Sequence, residues 1–316
     1  VVPAQSTAQS FGSCYRRILL TLTLRVLTMP ETQSLYTLLD SPLFRGTRLP
    51  DQDIPISGIT DDSRAVKTGN LFVAVPGVHV DGHRFISKAV EAGAVAVVGE
   101  KPYREIDLLE SIPYIQVSDS REALGWLHAG WYDYPADHLV LIGVTGTDGK
   151  TTTTNLIHAM LRAEGLMTGM VSTVNARIGT QDYDTGLHTT TPPSADIQRY
   201  LSQMVAAGVS HAVLETTSHG LAQRRLAGCQ FDVAVITNVT HEHLDFHGSW
   251  DAYMRSKARL FENVAEAKTR RSKPRAIDPT AVLNADDPRS MSNLLDIQVA
   301  RQIIYAVASE LADVYA

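Results

Sequence analysis

Short apolar runs alternate with amphipathic segments in the first part of the chain. The runs "NLFVAVPG" and "VAVVGE" flank "HRFISKAVEAGA", whose apolar residues have helical spacing. This strand, helix, strand order predicts a small α/β unit. A second helix is predicted in "SREALGWLHAGWYDY", with Ser120 as its N-cap and Glu122 in its first turn. The pattern breaks at "YPADH", residues 134–138, where we place a domain boundary.

The second half repeats a strand and helix rhythm. "HLVLIGVTG", "SHAVLETTS" and "FDVAVITNVT" are predicted strands, and "TAVLNADD" is predicted to be the last strand. The helices between them are predicted to end at Gly165 and Gly208, and a third is capped by Ser249. The pattern predicts a mostly parallel sheet flanked by helices. Ligands of such sheets lie beyond the carboxyl ends of the strands, so we expect the chemistry at 145–151, 215–219 and 238–245.

Length and composition fit a two-domain globular protein. The chain has 316 residues, 44% hydrophobic and 20% charged, with a net charge of −6. We assign 31–135 to an N-terminal domain, 136–300 to a central domain and 301–316 to a linker or the start of a third domain. The net negative charge does not indicate a surface that binds nucleic acid. Two cysteines, Cys14 and Cys229, lack metal-ligand spacing and fit a reducing compartment such as the cytoplasm.

Residues 1–30 differ from the rest. They contain no acidic residue, and their apolar run "ILLTLTLRVL" is too short to span a membrane. A mis-assigned start or a disordered extension is the simpler interpretation. A transit-type leader is the alternative, because the stretch is acid-poor and contains Arg and Ser.

The segment "GVTGTDGKTTTT", residues 143–154, has most of a phosphate-binding loop. Val144 stands where the first Walker glycine belongs, but Gly146, Gly149, Lys150 and Thr151 remain between a strand and a helix. Backbone N–H groups there attract anions, Lys150 would reach the outer phosphates, and the Thr151 hydroxyl would hold Mg²⁺. A glycine-rich turn without function is the alternative, which the Lys-Thr start of the helix disfavours.

Three further features follow predicted strands or helices. Glu215 ends a strand and could hold Mg²⁺, polarise a water or cap a helix. His241, His243 and His247 lie near Asp245 and could bind metal, but without the spacing of a zinc site. Lys257 lies on a helix and by itself indicates only a solvated lysine.

Several motifs together resemble the Mur ligases, and most closely the MurE type. The resemblance runs from about Leu35 to Asp287 and rests on "DDSRAVKTGNLFVAVPGVHVDGH", "TGTDGKTTTT", "TTP", "ETTSHGLAQRR", "NVTHEHLDFHGS" and "SKARLF". It implies a cytoplasmic ATP-dependent amide ligase of peptidoglycan synthesis. ATP would phosphorylate the terminal carboxylate of UDP-MurNAc-L-Ala-D-Glu, and the amine of a third amino acid would displace phosphate from the acyl phosphate.

The resemblance also implies roles for individual residues. Lys150 would steady the β/γ-phosphates, Thr151 and Glu215 one Mg²⁺, and His243 a second. Lys257 matches a carbamylated lysine. The implied ATP-binding residues are Thr145, Gly146, Thr147, Asp148, Gly149, Lys150, Thr151, Thr152 and Asn238. The implied substrate-binding residues are Ser63, Val78, His79, Val80, Thr189, Thr190, Thr191, Thr217, Gln223 and Arg225. Thr189 stands where Asn is frequent in the family, and Thr217 where Ser is.

Asp148 departs from the family, which often has Asn at this position. Both residues accept local backbone hydrogen bonds and tolerate the left-handed conformation of tight turns. We therefore expect Asp148 to shape the loop, with its carboxylate turned away from the phosphates or towards a metal-bound water.

The family has a third domain that binds the incoming amino acid, and this chain stops at Ala316. We therefore expect the chain alone to bind nucleotide but to ligate poorly or not at all, unless a separately encoded domain joins it. Two alternatives remain. One is a non-catalytic module that binds a nucleotide or UDP-sugar. The other is a sister amide ligase such as folylpolyglutamate synthetase, which the "DDSR…DGH" segment disfavours.

Overall fold

The computed structural model describes residues 31–77, 80–179, 181–183, 190–240, 242, 244–266, 273, 277–308, 310 and 312–315. The predicted leader and several predicted site residues lie outside them, namely Val78, His79, Thr189, His241 and His243. Within the described residues, the α/β fold class predicted from the sequence is confirmed. A four-stranded sheet and a nine-stranded sheet account for most of the strands.

The first sheet is small and parallel. Its four strands pair with one another in chain order. Beside it lies a two-stranded ribbon formed by β1 and β2. The elements of this part are β1 (Gln33–Ser34), α1 (Leu35–Leu38), β2 (Pro55–Ile56), β3 (Gly58–Thr60), β4 (Asn70–Val73), α2 (Ile86–Glu91), β5 (Ala96–Gly99), β6 (Tyr114–Gln116) and α3 (Ser120–Trp131).

Alternation along β4 builds two cores. Leu71 and Val73 pack on the side covered by α1 and α3, whereas Phe72 packs on the side covered by α2. Successive side chains of a strand point to opposite faces, so a strand covered on both faces is apolar throughout. This explains why "NLFV" reads as a continuous run rather than as an alternating one.

The second sheet is large and mostly parallel. The strand order is β10-β9-β8-β11-β7-β12-β13-β14-β15, with only the β8–β9 and β9–β10 pairs antiparallel. Its elements are β7 (Val140–Thr145), α4 (Lys150–Ala163), β8 (Thr168–Val171), β9 (Ala176–Ile178), β10 (Gln181–Tyr183), α5 (Ser194–Ala206), β11 (His211–Glu215), α6 (Ser218–Ala222), β12 (Val233–Ile236), α7 (Leu244–His247), α8 (Trp250–Ala265), β13 (Thr280–Asn284), α9 (Pro288–Leu294), β14 (Arg301–Ala306) and β15 (Val314–Tyr315).

The central strand β7 lies between β11 and β12, where the direction of strand order reverses. Such a switch point opens a crevice beyond the carboxyl ends of the strands. Helix α4 covers one face of the sheet through Ile157 and Leu161, and α5 and α8 cover the other. The loops that follow β7, β11 and β12 therefore meet at one edge.

Two expectations about element ends are wrong. The N-cap of α3 is Asp119, whose Oδ1 accepts the Glu122 amide at 3.0 Å, while the buried Ser120 hydroxyl donates to Glu100 instead. The strand in "TAVLNADD" is not the last, because β14 and β15 extend the sheet beyond residue 300. None of the helices described is long and apolar enough to cross a membrane.

Candidate active site

Two glycines shape the loop between β7 and α4. Gly149 is the N-cap of α4 and has a φ of +78°, and Gly146 has a φ of +147°. A Cβ built on Gly146 would lie 1.8 Å from the Thr237 hydroxyl oxygen, so no larger residue fits there. The loop thus lies directly against the end of β12 and presents the amino end of α4, where anions are favoured.

The two residues that follow β12 hold the loop by contacts with its backbone. The Thr147 amide donates to the Asn238 carbonyl at 2.7 Å, and the Thr237 hydroxyl donates to the Asp148 carbonyl at 2.6 Å. The Asn238 side chain accepts from the Asp148 amide at 3.1 Å and donates to its carbonyl at 3.2 Å. Asn238 therefore supports the loop from behind.

Asp148 does not use the left-handed conformation that it would tolerate, since Gly149 takes that conformation in this loop. Asp148 is exposed, and its carboxylate has no hydrogen bond or ion pair with any residue the structure describes. The loop is shaped through the Asp148 backbone, not its carboxylate.

Glu215 ends β11 and is only 3% exposed. The hydroxyl groups of Thr151 and Thr173 donate to its carboxylate from 3.0 and 3.1 Å, and the Thr173 amide donates from 3.1 Å. Thr173 was missed by the sequence analysis. It follows β8, a strand that the sequence analysis did not predict.

Oxygen atoms of Thr151 and Glu215 converge at the first turn of α4, and such hard donors suit Mg²⁺ held jointly with phosphates. The residues described contain no group of three or more His, Cys, Asp and Glu side chains that could hold a metal by themselves. This donor set fits a magnesium ion that arrives with a nucleotide and does not fit a structural zinc. His243, expected at a second ion, lies outside the described residues.

Lys257 is buried, so the interpretation of a solvated lysine is wrong. It is 1% exposed, its ammonium donates to the Gly146 carbonyl at 2.6 Å, and it lies 4.4 Å from the centre of the Tyr253 ring. Burial, followed by the charge of Lys150, lowers the pKa of Lys257 well below its usual range, and Glu242 opposes this shift. The Lys150 ammonium donates to the Thr147 carbonyl at 2.6 Å.

A cavity of about 260 Å³ brings most of these groups together. Its lining residues are Gly146, Lys150, Thr190, Thr191, Thr217, Ser218, His219, Arg225, Tyr253 and Lys257. Among the described residues, the lining contains three basic side chains and no carboxylate, so the cavity favours an anion.

Hydrogen bonds join three other residues of the lining, Thr191, Thr217 and Arg225. The Thr191 hydroxyl accepts from the Thr217 amide at 2.9 Å, and Arg225 donates to the Thr191 carbonyl at 2.7 Å. Gln223 accepts from two nitrogens of Arg225, at 2.7 and 3.0 Å. Gln223 therefore orients Arg225 and does not itself line the cavity.

Other predicted residues lie elsewhere. Ser63 and Val80 lie in loops that follow β3 and β4 and do not line this cavity; Ser63 is buried and Val80 is 47% exposed. Thr147 lies beneath the loop, its hydroxyl 3.1 Å from the Tyr253 hydroxyl. Thr145 is fully buried, and Thr152 faces outward from α4.

Fold and site together define an α/β protein with a phosphate-type loop opening onto a cationic cavity. The family profile of the Mur ligase middle domain matches residues 144–316, and that of the "Mur ligase family, catalytic domain" matches residues 55–132. The chain belongs to the Mur ligase family.

Two individual relatives support this family membership. The UDP-N-acetylmuramyl-tripeptide synthetase of Roseiflexus sp. (strain RS-1) is 46% identical over 273 residues, 85% of this chain and 52% of that protein. The UDP-N-acetylmuramoyl-L-alanyl-D-glutamate--2,6-diaminopimelate ligase of Halalkalibacterium halodurans is 40% identical over 276 residues, 87% of this chain and 53% of that protein. The chain thus spans about half the length of the curated relatives it matches.

Solved structures show the same fold. A UDP-N-acetylmuramoyl-L-alanyl-D-glutamate--2,6-diaminopimelate ligase superposes with a TM-score of 0.69 at 28% identity, covering 90% of this chain and 54% of that chain. MurF from Acinetobacter baumannii superposes with a TM-score of 0.54 at 22% identity, covering 92% of this chain and 56% of that chain. The second likeness concerns the fold alone.

Proposed function

We propose that this chain carries the nucleotide and acceptor sites of a MurE-type ligase, which uses ATP to add an amino acid to UDP-MurNAc-L-Ala-D-Glu. The observation that carries the proposal is the cavity beside the phosphate loop, whose described lining includes Lys150, Lys257 and Arg225 and no carboxylate. The sequence relatives named as tripeptide synthetase and diaminopimelate ligase support the choice of acceptor.

We assign the two ligands to different parts of the chain. The small sheet, residues 31–135, would bind the UDP-sugar, with Ser63 and the segment 78–80 as its contacts. The large sheet, from residue 136 onward, would bind ATP at the loop 145–152. The cavity at Arg225 would then hold the peptide end of the acceptor.

The proposed chemistry joins two anions, since a carboxylate must attack the terminal phosphate of ATP. Such a transfer needs positioning and charge neutralisation more than covalent catalysis. Lys150 would neutralise the outer phosphates, and Arg225 would hold the acceptor carboxylate through its planar fork. Mg²⁺, held by Thr151 and Glu215, would supply further neutralisation of the phosphates.

Lys257 has the environment that a carbamate requires. Only a neutral amine adds CO₂, and the lowered pKa of Lys257 favours the neutral form. Addition of CO₂ with loss of a proton would convert this buried amine into an anion near the phosphate loop. We also propose that His243 helps to hold a second magnesium ion.

Calorimetry on the 316-residue chain with Lys150→Ala tests the nucleotide site. We expect a non-hydrolysable ATP analogue to bind the native chain and to bind the variant at least about tenfold more weakly, because a charge-assisted phosphate contact is lost. The exposed Lys88→Ala is the matched control and should bind normally. Equal affinity of the Lys150 variant and the native chain would contradict the nucleotide site.

A turnover assay separates a ligase from a binding module. Phosphate release that requires ATP, UDP-MurNAc-L-Ala-D-Glu and an amino acid together supports the ligase. Binding of both ligands without release, unrescued by the remaining part of a relative, favours a non-catalytic module.

A further inference from the structure

Helix α6 ends in a conformation that usually requires glycine. The Arg225 amide donates to the Gly220 carbonyl at 2.9 Å, and the Arg224 amide donates to the Leu221 carbonyl at 3.2 Å. These two bonds form a Schellman motif, in which the residue after the C-cap is left-handed and is most often Gly. Here that residue is Arg224, with a φ of +55°. An arginine in this conformation needs a compensating contact for its side chain.

The compensating contact crosses to helix α3. Arg224 Nε donates to Asp119 Oδ2 at 3.1 Å, and its Nη2 lies 3.4 Å from Glu122 Oε2. Asp119 uses its other oxygen, Oδ1, to cap α3. We call these three residues the Arg224 bridge. Each of its side chains is about one-third exposed, so the bridge is partly buried and is not a fully exposed surface ion pair.

The same two segments also pack closely. A Cβ on Gly125 would lie 2.6 Å from the Ala227 Cβ, and a Cβ on Gly228 would lie 2.7 Å from the Ala129 Cβ. Helix α3 therefore approaches the 224–228 segment at backbone contact. The Arg224 bridge joins the same two segments, beside this contact.

Arg224 stands between two residues of the candidate site. Gln223 accepts two hydrogen bonds from Arg225, and Arg225 lines the cavity and donates to the Thr191 carbonyl. A change in the backbone at Arg224 would move Gln223 and Arg225 relative to the rest of the wall. The bridge is thus the link between α3, which packs on the small sheet, and the orientation of the Arg225 guanidinium.

We propose that Arg224 is a positioning residue, which through Asp119 and Glu122 holds Arg225 in place for the anionic peptide end of the acceptor. The proposal rests on the proposed function for the identity of that acceptor. It adds that the helix of the UDP-sugar-binding part sets the geometry of the peptide-binding part, by a residue that itself touches no substrate.

Two variants remove the contacts of the Arg224 bridge while keeping the turn and the helix cap favourable. Arg224→Gly removes the side chain but suits the φ of +55°, so the turn remains favourable. Asp119→Asn removes the charge, and Asn caps a helix as well as Asp does. Arg255→Ala is the control, because Arg255 is an exposed arginine on the neighbouring helix α8.

Hydrogen exchange of the ligand-free chain tests the bridge without any ligand. We expect the amides of residues 223–228 to exchange faster in Arg224→Gly and Asp119→Asn, and at the native rate in Arg255→Ala. Unchanged exchange in the two bridge variants would overturn the proposal, whatever the chain binds.

Calorimetry with UDP and with UDP-MurNAc-L-Ala-D-Glu tests the consequence for binding. Arg224→Gly should weaken binding of the dipeptide compound by about tenfold while leaving UDP affinity within about twofold, as expected for one lost charge-assisted contact. In an Arg225→Ala background it should have no further effect, because Arg224 acts through Arg225. Additive losses, or equal losses for both ligands, would overturn the proposal. Failure of the native chain to bind the dipeptide compound would instead contradict the proposed function.

Discussion

Lys150 and Lys257 are two basic residues that line the same cavity. Their repulsion contributes to the lowered pKa of Lys257, after burial. Like charges that face a cavity without a carboxylate disfavour one another until an anion enters. Binding of a phosphate or carboxylate group in this cavity would therefore be favoured by positive charge that the folded chain already holds in place.

Asp148→Asn tests whether the unusual residue of the loop matters through its charge. Affinity for an ATP analogue should stay within about twofold of the native value or tighten slightly, because the loop contacts are made by the Asp148 backbone and a negative charge near phosphates is removed. Asn238→Ala, which removes two bonds to that backbone, should weaken binding. Loss of binding in Asp148→Asn, measured by calorimetry, would refute this role.

At the scale of elements, α3 connects the two sheets. Its Leu127 packs in the core of the small sheet, while the buried His128 lies against α5, with Nδ1 2.9 Å from the Ser194 hydroxyl. Burial lowers the pKa of His128 and so favours its neutral imidazole. The contact between α3 and α5 should therefore weaken in acid.

The acid dependence of stability follows from His128. Burial lowers its pKa from 6.5 to about 4, and Asp196 opposes the shift. The unfolded chain binds this proton more readily, so the stability is fully present above pH 6.5 and is lost as the pH falls towards 4, by at most about 3 kcal/mol. His128→Gln should flatten the pH dependence of the unfolding free energy in that range.

Urea unfolding at several pH values between 4 and 6.5 measures this effect. His138→Gln, at a partly exposed histidine, should keep the native pH dependence. The same slope in native chain and His128→Gln would show that another group governs acid stability.

At the scale of the whole molecule, the sequence predicts the strands and loops that depend on a local pattern of residues. Apolar runs located β4, β7 and β11, and the glycines with Lys150 and Thr151 located the loop. What depends on which loops meet could not be predicted. Thr173 contacts Glu215 because β11 lies between β7 and β8, an order that no local pattern encodes.

Burial of Lys257 has the same kind of cause. On its own helix it resembles a solvated residue, and only the packing of α8 over the sheet brings its ammonium to Gly146. Its functional role was implied by family resemblance alone. The short strands β9, β10 and β15 carry too few residues for a periodic signal, and the Arg224 bridge joins residues more than 100 positions apart.

The central claim is that the cavity at Arg225 holds the peptide end of a UDP-MurNAc-dipeptide. The most direct test compares, by calorimetry, the affinities of UDP-MurNAc-L-Ala-D-Glu and of UDP-MurNAc without the dipeptide. We expect the dipeptide to strengthen binding at least about tenfold and Arg225→Ala to remove this gain, because the guanidinium pairs with a carboxylate. Equal affinities for the two compounds in the native chain would contradict it.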